Sequence, residues 1–539
     1  MKYKKILALI LASVLLFSVC GCKDKPENSG STNESGQVSS KSRDYLNLLY
    51  SAADSFNPYT AKTDINRQLC QLIFEPLLVL DNEFKPEYKI ASSVEIKDTT
   101  CTVKIKSTRF SDGSILTAED VVYSCNLARN TAGKYAASLY EVASVSAADS
   151  NTVIFKMTKQ DPYFANLLTF PILKKGSEKI TDSDSVAKPP IGSGRYKVSK
   201  DETSLELNEN FGGKVGSIKK INLINAPDTD SVSHYLEIGA ADIYFSRISD
   251  GNIHRMSGKK LDVNLNSIIY IGINHNNSLL AQNELRQALS SAISRKKIVE
   301  SAYYNNALSA TGFFNPLWNE TKSVQNIQIE SKSEITVENL EKIGYNRLDN
   351  KNNRINASGF KLELSLLVNS DNRLKVSAAR MIASELKEHG ININVVEKSY
   401  AAYTDALKKG NFQLYLGEVL LTDNMDISCM IEPGGSAAYG IKKPAETNDK
   451  KPETEKENKE QGEASKEQAV TNTSAEVLNG FYSGKNTLSD LATVLQTEMP
   501  FIPICYRTGV LFYNEKIENL SNSSASDIYT SIESYIFNN

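Results

Sequence analysis

The chain has 539 residues, of which 40% are hydrophobic and 23% charged, and it carries a formal net charge of −3. That balance excludes a general nucleic-acid or anionic-membrane surface. So long a chain exceeds what one hydrophobic core supports, and two or three lobes are expected. Residues 1–22 read as an export signal. Lys2, Lys4 and Lys5 form a positive start, and Ile6–Phe17 is an apolar run broken only by Ser13. The run is too short for a hydrocarbon core that needs about 20 apolar residues. Residues 23–43 hold one Val and no other large apolar side chain, so they are expected to form a flexible tether.

Further along, Val103, Ile105 and Ser107 alternate with Lys104, Lys106 and Thr108, the period of a half-buried strand. Ser111-Asp112-Gly113-Ser114 supplies a turn, with Gly113 free to take a positive φ. Thr117, three residues before Asp120, can then cap a helix. Around Leu205, S-L-E-L-N alternates and predicts antiparallel pairing. A helix beginning near Asn283 and running to Glu300 turns Leu285, Leu289, Ala292 and Ile293 inward. The stretch 361–368 reads as a strand, Arg373–His389 as an amphipathic helix stopped by Gly390, and 391–396 as a second strand. Such a β-α-β unit implies a parallel pair. The segment from Lys442 to Ser474 carries seven lysines and eight acidic residues with only Val470 among the larger aliphatics. It is expected to be a disordered insert.

Five cysteines follow the leader, namely Cys70, Cys101, Cys125, Cys429 and Cys505. They are odd in number, widely spaced and without C-x-x-C, so buried free thiols are expected in place of disulfides or zinc, although Cys101 and Cys125 could pair. There is no H-E-x-x-H, no G-x-S-x-G and no phosphate-binding G-x-x-x-x-G-K-[ST]. The four histidines, His234, His254, His275 and His389, are scattered. The chain is therefore not expected to be an enzyme or an ATPase, and no cofactor or metal is called for.

Phe110–Ser124 spells F-S-D-G-S-x-L-T-A-E-D-V-V-Y-S. This wording resembles the signature of extracellular solute-binding proteins of ABC importers, in the oligopeptide, dipeptide and nickel class (family 5). Asn57-Pro58-Tyr59, Phe74-Glu75-Pro76-Leu77, Ala240-Ala241-Asp242, Leu285–Leu289 and Pro500–Tyr506 are similar to family segments in the same order. Pro190–Tyr196 resembles their P-x-G-T-G-P-Y loop, with Ser193 and Arg195 departing from it. Val19-Cys20-Gly21-Cys22 resembles a lipoprotein processing box, with Cys22 as the acylated residue because Gly21 precedes it. The resemblance implies a two-lobed α/β periplasmic-binding-protein-like fold of the class II type, hinged on two crossing strands. Signal 1–21 and tether 22–43 would precede a first lobe at 44–267 with a subdomain about 83–190. A second lobe at 268–500 would follow, and residues 501–539 would return to the first. The crossings are placed near Ile268–Asn274 and Phe501–Tyr506.

The same resemblance implies a monomeric, lipid-anchored extracytoplasmic receptor. It would deliver peptides or peptide-like solutes to an ABC permease, and through that to ATPase subunits. A receptor for nickel, haem or another small solute is the alternative, as is a surface sensor. The family's amine-binding segment, W-x-x-D-[YN]-x-D-P, matches Gly417–Asp426, where Glu418 and Leu421 stand in place of the usual Trp and Asp. Glu418 or Asp423 could supply the carboxylate, with Thr422 and Asn424 beside it, or these could be solvated loop residues. Arg373 at a helix start could hold the ligand carboxylate, or belong to a plain capping loop. Tyr506 could line the cleft floor or pack in the core. Asn57 and Tyr59 could be cleft or turn residues, and Trp318 could pack the second lobe or offer a cleft aromatic.

Overall fold

The computed structural model describes residues 43–538 apart from 132, 182–186, 249–250, 252–256 and 442–472. The signal with Cys22, almost all of the tether, His254 and nearly all of the charged insert lie outside the described residues.

The first lobe is built on two four-stranded sheets. In one, Tyr45–Tyr50 pairs parallel with Lys220–Asn225, which continues antiparallel to Ser204–Leu207 and Tyr196–Val198. The alternation around Leu205 thus becomes an antiparallel strand, with Leu205 buried and Glu206 exposed. The other sheet is antiparallel and runs Ala91–Lys97, Thr100–Ile105, Thr152–Met157, Val142–Asp149. Cys101, Val103 and Ile105 face its core while Lys104 faces solvent. The strand ends at Ile105, and Ser107, expected inward, is exposed.

The turn and helix after it form as predicted, with Thr117 as the N-cap in a capping box with Asp120. Gly113 takes φ +87°, and the helix covers Ala118–Asn130. The Asp120 carboxylate reaches back and accepts from both the Thr117 N–H and its hydroxyl at 2.9 Å. The carboxylate charge also suits the positive end of the helix.

A third sheet runs from the first lobe into the second. Its order is Ile243–Ser246, Phe501–Tyr513, Lys259–Ile273, Leu414–Leu420, Glu363–Asn369, Asn392–Lys398. The expected β-α-β unit is here: Glu363–Asn369 and Asn392–Lys398 pair parallel, joined by the helix Arg373–Glu388. The helix expected from Asn283 to Glu300 is instead two, Asn283–Ser291 and Arg295–Ser301. Ser294 restarts the second by accepting the Lys297 N–H. All five cysteines beyond the leader are free thiols. Burial pushes Cys101 and Cys125 up to about 12, so both stay protonated and inert at neutral pH.

The crossing is longer than the sequence suggested. Lys259–Ile273 and Phe501–Tyr513 pair antiparallel from Lys259↔Tyr513 to Gly272↔Phe501. The register slips midway: Asn264 faces Thr508 but Ile268 faces Tyr506, so Leu265, Asn266 and Ser267 bulge opposite Arg507. Bulges re-aim side chains and commonly sit beside functional sites.

A charged cavity between the lobes

The bulge makes one wall of a cavity. Leu421 N–H donates to the Asn266 carbonyl at 2.8 Å, and Asn266 Nδ2 donates to the Thr422 carbonyl at 2.9 Å. These bonds fix Leu420–Asp423 of the second lobe beside Asn264–Asn266. The first lobe supplies the facing wall: Lys134 and Ser138 from a short helix, Arg247 just beyond Ile243–Ser246, and the small polar run Ser524–Ser526. The enclosed space is about 70 Å³. Small-molecule pockets run to about 300–1,000 Å³, so a peptide needs the lobes to part before it can enter.

Charge within the cavity is arranged in opposed groups. Asp423 on the second lobe lies 3.8 Å from Lys134 Nζ on the first. Burial raises the Asp423 pKa, while the Lys134 and Arg247 cations pull it back down. Glu418 stands outside this space. It accepts from Ser267 Oγ at 2.9 Å and pairs with Lys375 at 2.8 Å. Burial would push its carboxyl up, but Lys375 and Arg507 together hold it below the ordinary value. Glu418 thus already has an ion-pair partner in its own lobe, Lys375, whereas the partner of Asp423 belongs to the other lobe.

The lobes also meet along a rim. Asn424 Nδ2 donates to Asp161 Oδ2 at 2.8 Å, Asn166 Nδ2 to the Asp423 carbonyl at 3.1 Å, and Lys159 pairs with Asp426 at 3.1 Å. Thr422 Oγ1 donates to Asn424 Oδ1 at 2.6 Å and orients that amide. Tyr163 of the first lobe inserts between Trp318 and Phe481 of the second, with ring centroids 5.1 and 6.0 Å away. Trp318 therefore both packs its own lobe, against Phe314, and meets the opposite one.

Other expected site residues lie elsewhere. Arg373 is exposed and lines a surface groove with Arg380 and Glu397, not the interlobe cavity; Lys375 is the cation that turns inward. Tyr506 is fully buried, with its hydroxyl donating to the Phe313 carbonyl at 2.8 Å, so it is a core residue. The Asn57 side chain accepts the Tyr59 N–H at 3.0 Å in a turn. The Tyr59 hydroxyl donates to the Pro171 carbonyl, and its ring packs edge-on against Tyr135. Lys134 and Arg247 were not anticipated. The nearest sequence signals for the site were N-L-N-S at 264–267, polar residues just ahead of an apolar strand, and the small polar run ending at Asp527.

Among the described residues no group of three or more His, Cys, Asp and Glu is placed to hold a metal ion, and no helix is long and apolar enough to cross a membrane. Two α/β lobes on paired crossing strands, with a charged cavity between them, define an architecture of the periplasmic-binding-protein type. The model described as bacterial extracellular solute-binding proteins, family 5 Middle, matches residues 85–439, and the chain belongs to that family. It is 24% identical over 434 residues to the oligopeptide-binding protein AppA of Bacillus subtilis, covering 76% of this chain and 80% of that protein. Its fold is that of AppA bound to a nonapeptide, with TM-score 0.58 at 19% identity over 93% of this chain and all of the other. It is likewise that of NikZ from Campylobacter jejuni with Ni(L-His), with TM-score 0.60 at 18% identity over 92% and 99%.

Proposed function

We propose that this chain captures a peptide or peptide-like solute between its lobes and delivers it to an ABC permease. Residues 44–267 and 501–539 form one jaw and 268–500 the other. The observation that carries this reading is the pairing of Asp423 with Lys134 across the lobes, with Arg247 on the same wall. A peptide brings one cation and one anion, and both must find partners when the cleft excludes water. On opening, Asp423 is free for the α-amino group, and Lys134 with Arg247 for the carboxylate. Thr422 and Asn424 border that site, and Glu418, held by Lys375, supports the wall behind it. The relative named for oligopeptides and its nonapeptide-bound structure favour a peptide as the solute.

Energy comes from ATPase subunits that the permease carries. The receptor works as a monomer outside the cell, tethered through acyl chains on Cys22. More than one chain gives stable anchoring, because each buried CH₂ contributes about 0.8 kcal/mol.

Native mass spectrometry of the purified chain tests the solute. Co-purifying peptide masses are expected, and a metal complex or a non-peptide mass would overturn the peptide. Stimulation of a reconstituted permease's ATPase by the loaded receptor tests delivery. Cys22→Ser is expected to release the protein from the membrane fraction; a retained diacylglycerol mass increment would move the anchor to Cys20.

A further inference from the structure

A second charged cavity, of about 480 Å³, lies in the first lobe and is lined by different residues from the interlobe one. Its floor is set by the loop Pro190–Tyr196. Gly192 and Gly194 lie so close to the Leu72–Ile73 backbone that an added Cβ would sit 2.1 and 2.4 Å from a carbonyl oxygen. Gly194 N–H donates to the Ile73 carbonyl at 2.8 Å. With the glycines pressed against that backbone, Ser193 and Arg195 line the cavity.

Lys89, Lys106, Arg109, Arg195 and Lys214 line this space, against the carboxylates of Glu75 and Glu533. Just behind, Asp527 pairs with Lys89 at 3.7 Å and with Arg195 at 3.6 Å. Five cations thus meet three carboxylates, an excess of two positive charges. Lys106 and Arg109 reach only the backbone carbonyls of Tyr88 and Gly113, and no ion pair among the described residues takes them or Lys214. Ser193 is 1% exposed, and its hydroxyl has no hydrogen-bond partner. A buried hydroxyl left unpaired is unfavourable unless something bonds it.

We propose that this cavity is an anion site for a phosphate monoester, separate from the peptide cleft. A volume of 480 Å³ falls within the range of small-molecule pockets. The net excess of two positive charges matches a group that is close to dianionic at neutral pH. Arg195 and Ser193 would bond the phosphate oxygens at the floor, while Lys106, Arg109 and Lys214 draw the anion in at the mouth.

Calorimetric titration of the full chain with phenyl phosphate, against phenyl sulfate as a monoanion of the same shape, tests this. Phenyl phosphate is expected to bind, and more tightly than the sulfate. Lys106→Ala combined with Arg109→Ala, and separately Arg195→Gln, should each weaken it by about tenfold or more. The first variant changes exposed side chains, so a folding defect does not obscure it, and peptide affinity should be unaltered in it. Flotation with phosphatidylcholine vesicles containing phosphatidic acid, using Cys22→Ser protein, separates the two sources. Co-flotation that phenyl phosphate abolishes assigns a lipid headgroup, and phenyl phosphate binding without co-flotation assigns a soluble ester. No phenyl phosphate binding, equal binding of the sulfate, or binding unchanged in both variants would overturn the site.

Discussion

The crossing strands and the rim both join the two lobes, and they do so with opposite chemistry. In Phe501–Tyr513 every residue from Phe501 to Phe512 is buried, and the strand is held by backbone ladders on both sides. At the rim, Lys159 keeps 31% of its side-chain surface exposed, and the contacts are an ion pair, amides and aromatic rings. A fully buried, largely apolar ladder is costly to separate because both its surfaces and its backbone groups must be rehydrated. Half-wet ion pairs exchange readily for water, and each contributes about 0–1 kcal/mol. The crossing is thus the permanent joint and the rim the part built to open, the arrangement hinge closure requires.

The largest effect is expected at the joint. Tyr506→Ala removes a fully buried aromatic and should lower unfolding stability by about 3–5 kcal/mol in a denaturant titration. A loss under about 1 kcal/mol would show that the crossing is not the core of the molecule. Next comes the pH response of the rim. Burial raises the Asp161 pKa to about 6, with Asp426 adding to the rise, while Asn424, the Tyr163 N–H and Lys159 oppose it. A carboxyl raised in the folded state stabilises when protonated. Its contribution is full below the unfolded pKa near 3.8 and is lost as pH rises through about 6. Across that window wild type should lose up to about 3 kcal/mol relative to Asp161→Asn, judged from paired melting curves. Parallel curves would remove Asp161 as a buried acid.

Tyr163→Ala should be milder for stability, about 1 kcal/mol for the lost ring pairs. It should nonetheless shift the ligand-free protein toward a larger radius of gyration in X-ray scattering. An unchanged radius would mean that the rim does not govern opening. The smallest effect is expected from deleting residues 442–472, joining Ile441 to Thr473. By composition the tract cannot build a packed core, so stability should move by less than about 0.5 kcal/mol. A larger loss would show that the tract docks on a lobe.

What could be read from the sequence followed from local periodicity. The strand at Thr100–Ile105, the helix after Thr117 and the parallel unit around Arg373–Glu388 each declare themselves within about 30 residues through patterning and caps. The cavity did not, because its charges come from positions as far apart as Lys134, Arg247 and Asp423. No local pattern marks Lys134 or Arg247. Of the two readings of Arg373, the structure agrees with the capping loop, for a geometric reason. Residues two apart on a helix point about 200° away from each other, so Lys375 turns inward to Glu418 while Arg373 faces solvent. Asp423 was legible only as one of two acids, and it was the opposite lobe that separated it from Glu418, which Lys375 and Ser267 already satisfy.

The central claim is that Asp423 and Lys134 give up each other for the two ends of a peptide. Calorimetric titration of a peptide panel against wild type, Asp423→Ala, Lys134→Ala and Arg373→Ala tests it most directly. Truncating one member of a desolvated charge pair costs about 2–5 kcal/mol, roughly one and a half to nearly four decades of affinity. The account predicts that loss for Asp423→Ala and Lys134→Ala, and wild-type affinity for Arg373→Ala. Undiminished binding by the first two variants, with loss confined to Arg373→Ala, would contradict it.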